Sequence, residues 1–254
     1  MLTLETAFAE LEKKQYGIPY DAIDYLYNHA PCPEISDRIK FFLENHSNKN
    51  LVYDTKSGVW GHAPFWYSIV AENHFDAELV VLLAKIFDKT RADSYLTEQT
   101  MYLVGKSCAD LGEKMVDKWL EAVEEYITHK DYPYYLLLDF MYFIQDWDKY
   151  KHRICHLVEM SPSKDMSILA DIISDVHLVE AAPILEKRLK ASRFSFFDSD
   201  RKEVKHALDM LLGKAEFCEH SYCYQERPKN WKEYLKQEEQ KFAAPLVAQE
   251  VGGH

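Results

Sequence analysis

Along almost the whole chain the apolar side chains recur with the spacing of a helix. Met115, Val116, Trp119, Leu120, Val123, Tyr126 and Ile127 fall on one stripe of a period of about 3.6 residues, and Lys114, Asp117, Lys118, Glu121, Glu124 and Glu125 fill the opposite side. Leu79, Leu82, Leu83, Ile86 and Phe87 repeat the spacing. So do Ile168, Leu169, Ile172, Ile173 and Val176, and further on Val204, Ala207, Leu208, Leu211 and Leu212. No alternating run bounded by hairpin-type residues occurs, so no strand is predicted. The punctuation agrees with helices. Asp200 with Glu203 has the spacing of a capping box, Ser163 is placed to cap the helix that runs to Val176, and Gly213 lies near a helix end. Pro19, Pro33 and Pro228 stand where a first-turn proline is tolerated, since its missing N–H would have no partner there.

The predicted helices come in pairs. First members are expected near 20–29, 61–73, 95–110, 132–146 and 165–175, and second members near 34–46, 76–88, 114–129, 148–160 and 179–191. Short connections make the partners antiparallel. Second members start 42, 38, 34 and 31 residues apart, about 36 on average, which is the range of helix-pair repeats. His74–Ile86 can also be laid over His177–Leu189 at an offset of 103, so that Val81, Leu82 and Ile86 coincide with Ile184, Leu185 and Leu189.

The run Ala-Ala-Pro-Ile-Leu-Glu-Lys-Arg-Leu-Lys from Ala181 resembles the second helix of a HEAT-type (armadillo-like) repeat, and Asp200–Leu212 resembles the first helix of the next one. Trp60–Asp88 is a weaker match to the same unit. The resemblance implies an all-α fold, a short right-handed solenoid of about five antiparallel hairpins over residues 19–213. It also implies a protein-binding or scaffolding role and brings no catalytic residues with it. Helices at 3–15 and 228–242 are expected to cap opposite ends of a single domain spanning 1–243, with 244–254 as a frayed tail.

Charge and cysteines narrow the partners. Lys and Arg number 30 against 42 Asp and Glu, a net charge of -12, and no basic run exceeds two residues. Nucleic acid and anionic membrane surfaces are therefore not expected as partners. The most apolar stretch, Tyr134–Ile144, is 11 residues long and holds Asp139, whereas a span needs about 20 apolar residues. The first residues acquire acids at once, unlike a secretory leader. Five dispersed cysteines do not form a disulfide framework, and a cytoplasmic protein is expected.

Candidate chemistry is sparse. His152 and His156, one turn apart with Asp148 a turn earlier, have a spacing that suits a metal, but no second motif completes the set. Cys218, His220 and Cys223 likewise lack a fourth ligand and a Cys-x-x-Cys knuckle. Asp139, in an apolar run, is either a perturbed acid or a carboxylate bonded to a neighbouring helix. The aromatic groups around Trp60, His62 and Trp66, and Phe194 and Phe196 in the loop at 192–199, could anchor a partner's peptide, although core packing explains them as well. The connection at 47–59 is the other long one. Phosphate loops, the Gly-x-Ser-x-Gly elbow and the His-Glu-x-x-His pair are absent. None of the 11 histidines precedes a glutamate, as the iron sites of HEAT-like hydroxylases require, and the acidic charge opposes a HEAT-like DNA glycosylase. The expectation is a non-enzymatic binding protein without a cofactor, presenting a curved face lined by second helices to a protein partner. The alternative is an enzyme, or a small-molecule or metal binder, such as a lyase by fold analogy alone.

Overall fold

The computed structural model of the chain describes residues 2–13, 17–45, 63–90, 94–128, 140–144, 146–191, 198–216 and 230–236. The protein is all-α, and among the described residues no strand occurs. The helices are α1 (Leu4–Glu12), α2 (Tyr20–Tyr27), α3 (Pro33–Asn45), α4 (Ala63–Val70), α5 (Ala77–Thr90) and α6 (Ser94–Leu111). They continue with α7 (Glu113–Thr128), α8 (Trp147–Met160), α9 (Met166–Asp175), α10 (Ala182–Ala191) and α11 (Asp198–Leu211). A last helical stretch covers 231–236. Among the described residues no helix is long and apolar enough to cross a membrane.

Local chemistry explains most boundaries. Thr3 and Thr6 form a reciprocal capping box at the start of α1. Pro33 opens α3, and Gly112 closes α6 at φ 55, its N–H bonded to the Cys108 carbonyl at 3.0 Å. That single left-handed residue turns the chain straight into α7. Gly213, at φ 67, ends α11 in the same way.

Four sequence expectations differ here. Asp200 lies inside α11, which begins at Asp198, so it is not the cap. Ser163 belongs to a 3-10 turn, Ser163–Asp165, that leads into α9. His74 and His177, equivalent in the overlay, adopt φ -133 and φ 55, so the two stretches enter their helices differently. Of the helix expected at 132–146, the described part is a 3-10 turn, Phe140–Phe143, followed by the approach to α8.

Packing follows a fixed order along the chain. Helix α2 packs on α4 and α4 on α6, and α6 meets the Phe140–Phe143 turn. In parallel, α3 packs on α5, α5 on α7, α7 on α8 and α8 on α10. Contacts of α5 with α6, α6 with α7 and α10 with α11 join the two sets, and α9 lies broadly against α11. The buried side chains form one connected cluster from Ala7 to Leu235. In α7 the stripe read from the sequence is the buried one, with Trp119 fully enclosed.

Ion pairs stitch the second members together across their outer edges. Lys40 of α3 reaches Asp76 at 2.7 Å and Glu78 of α5 at 3.2 Å, and Lys85 of α5 reaches Glu125 of α7 at 2.8 Å. Arg153 of α8 grips Glu124 of α7 through two nitrogens at 2.6 and 3.1 Å and touches Asp117 at 3.3 Å. Lys149 meets Glu113. Lys151 of α8 pairs at 3.1 Å with Glu180 in the 3-10 turn before α10, and Lys187 of α10 with Glu159 of α8 at 3.0 Å. Each such pair is individually weak at the surface, but the rungs recur at successive helix contacts and hold their register.

The terminal segments do not occupy opposite ends. Trp231, 4% exposed, lies on the Tyr20 ring at a centroid distance of 6.3 Å and on Tyr27 at 5.7 Å, and Lys232 pairs with Asp24 of α2 at 2.5 Å. The reason is apolar surface. Tyr20 and Tyr27 stand seven residues apart on one side of α2, about two turns, and a large ring covers both.

Two stability measurements check this packing. Trp119→Ala is expected to cost about 3–5 kcal/mol in urea unfolding, whereas Phe41→Ser, at a 58% exposed position, stays within about 0.5 kcal/mol. Arg153→Ala is expected to cost about 1 kcal/mol at low ionic strength, and the loss shrinks when the titration is repeated in about 1 M NaCl.

Candidate functional site

Only some of the aromatic and metal-type candidates fall among the described residues. Trp66 is 3% exposed and packs beside Phe65 at a ring distance of 5.1 Å, in the core. Trp60, His62, Asp139, Phe194 and Phe196 lie outside the described residues, as do Cys218, His220 and Cys223. His152 and His156 are exposed on α8. Asp148 is 91% exposed and pairs with Lys151 at 3.2 Å. Among the described residues no group of three ligand-type side chains is placed to hold a metal ion.

What the fold does assemble is centred on α2. Its eight residues bury Ala22, Ile23 and Leu26 and leave Tyr20, Asp24 and Tyr27 toward the segment at 230–236. The last carbonyls of any helix lack intrahelical donors. Here side chains from the 3-10 turn after α4 supply them. Asn73 Nδ2 donates to the Tyr27 carbonyl at 3.0 Å, and His74 Nε2 donates to the Leu26 carbonyl at 2.8 Å. A carbonyl can only accept, so the His74 proton sits on Nε2. Burial, with His29 as a nearby like charge, holds the His74 imidazole below its ordinary pKa of 6.5.

Beneath Tyr27 lies a buried polar network. Its hydroxyl donates to Glu72 Oε2 at 3.4 Å, and Gln99 Nε2 of α6 donates to Glu72 Oε1 at 2.7 Å and to the Ser68 carbonyl at 3.2 Å. Glu72 is only 6% exposed and Gln99 1%. Burying a carboxylate is costly unless hydrogen bonds compensate. The network thus ties α2, α4 and α6 together at one point and fixes the depth at which Tyr27 stands.

A second polar group braces the same end. Arg38 of α3 donates from Nε and Nη2 to the Glu12 carboxylate at 3.0 and 2.7 Å, and the Tyr67 hydroxyl donates to Glu12 Oε1 at 2.5 Å. Burial and the adjacent carboxylate push the Tyr67 hydroxyl well above its ordinary pKa, so it remains a donor. Between α1 and the start of α2 opens a cleft of about 690 Å³ lined by Leu2, Thr6, Glu10, Ile18, Tyr20 and others. Tyr20 is shared between this cleft and the Trp231 seat.

This surface brings together two aromatic rings, a carboxylate between them and an adjoining open cleft. None of these residues was singled out from the sequence. The signal available was the pair Tyr20 and Tyr27 on an α2 side that the apolar stripe does not need.

His74 gives the site a pH dependence of defined sign. Its folded-state pKa is lowered, so the stability it contributes is complete above the ordinary value of 6.5 and is lost as pH falls below that value. Urea unfolding at about pH 7.5 and about pH 5.5 is expected to show a larger loss on acidification for the wild type than for His74→Gln, which carries no titrating ring.

No protein-family model matches the chain, and no curated protein and no solved structure is significantly similar to it.

Proposed function

We propose that the protein is a non-enzymatic, protein-binding scaffold built as a short HEAT-like α-solenoid. The observation that carries this reading is the packing order. From α2 to α6, and again from α3 to α10, each helix rests on the next member of its own set, which generates two rows when hairpins stack side by side. The row of second members, α3, α5, α7, α8 and α10, carries the recurrent ion pairs and therefore keeps a fixed shape. A surface of fixed register can offer several weak contacts at once without an ordering cost on binding. Phe41 of α3 is 58% exposed on this row, and His152 and His156 of α8 also face solvent, so it carries both apolar and polar contact groups. The net charge of -12 favours a basic protein partner over an acidic one.

Affinity capture from the native cell tests the reading. Wild-type protein is expected to retain a specific polypeptide, and a Phe41→Ser, His152→Ala, His156→Ala variant is expected to retain it at least tenfold less. A variant outside that row, Asp171→Ala on α9, should leave recovery unchanged. Capture that is indifferent to the second-member row, or an enzymatic turnover found with the purified protein, sinks the scaffold reading.

A further inference from the structure

The segment at 230–236 is built like a ligand. Asn230 caps it, accepting the Glu233 N–H on Oδ1 at 3.0 Å. Trp231 and Leu235, four residues apart and 4% and 0% exposed, are its two buried anchors. Lys232 meets Asp24 at 2.5 Å, a charge match next to the aromatic anchor. Anchors at i and i+4 with a flanking cation are the pattern by which amphipathic helices dock in grooves. The receiving surface also extends beyond its occupant. The cleft of about 690 Å³ continues from the Tyr20 wall and has Glu10 and Asp21 along it, so more basic and apolar chain can be accommodated there.

We infer that the outer side of α2 is a docking site for a capped helical motif Asn-Trp-Lys-x-x-Leu, occupied in cis by residues 230–236, and that a basic amphipathic helix of a partner protein takes the site by displacing them. The inference rests on the scaffold reading for the existence of a partner, but its chemistry is set by α2 alone. A tethered segment competes at an effective concentration in the millimolar range. A partner must therefore either carry more contacts, which the cleft supplies, or arrive when the segment has opened locally.

The test uses the full chain and a fluorescent synthetic peptide of residues 228–238 as probe. Trp231→Ala, Leu235→Ala protein is expected to bind the peptide at least tenfold more tightly than wild type, because the cis competitor has lost both anchors. Asp24→Lys introduced into that protein should weaken binding of this peptide, and a peptide with Lys232→Glu should recover it. Equal binding by wild-type and double-variant protein, with the helical circular dichroism retained, overturns the proposal. Should the double variant not fold, hydrogen exchange of the wild type decides. Amides at 233–236 are expected to exchange through a local opening that is insensitive to low denaturant, and exchange only through global unfolding overturns the proposal. A concentration-dependent dimer of the wild type whose formation requires Trp231 would make the occupant a second copy's segment, and overturns the assignment to a partner protein. Each readout is independent of the capture experiment, so failure of the scaffold reading and failure of this one are distinguishable.

Discussion

A pair of antiparallel helices has more apolar surface than the two can hide from water, and that shortage organises this protein. The buried stripe of α7 is wide enough to need α5 on one side, α6 behind it and α8 on the other. Every helix in turn makes the same demand on its neighbours, and the result is one continuous core from Ala7 to Leu235. Because burial is roughly proportional to apolar area removed from water and indifferent to direction, it enforces stacking without fixing register. Register is left to the polar rungs. Arg153 with its two-pronged hold on Glu124, and Lys40 bridging to Asp76 and Glu78, are directional where the core is not.

Much of this was legible from the spacing of residues. The α7 stripe, the Gly213 end and the positions of most helices follow from the helical period and from the special backbone freedom of glycine at positive φ. Short-range punctuation was less secure. Asp200 had the spacing of a cap, but the helix had already begun at Asp198, and Ser163 lost the first turn of its helix to a 3-10 turn. Helix α4 is a different case. All eight of its residues are buried, so it has no polar phase, and the sequence alone could not say whether Trp66 faced a partner or the core.

The α2 surface was hidden for a different reason. Its parts lie far apart along the chain: Tyr27 and Glu72 are separated by 45 residues, Tyr67 and Glu12 by 55, and Trp231 comes from the other terminus. Neither periodicity nor motif spacing carries information over such distances, and a single sequence offers nothing else to join them. The same holds for His74, whose bond to the Leu26 carbonyl is the closing of a helix end by a residue 48 positions away.

Tyr27 belongs to two systems at once. Its ring is under Trp231, and its hydroxyl is on the buried carboxylate of Glu72. Thermodynamic reciprocity follows: whatever favours one position of that ring in the seat must alter the interior hydrogen bond by the same free energy, and the reverse. Were that ring to shift when the seat empties, the Glu72 carboxylate in the turn after α4 would feel the change through this one side chain.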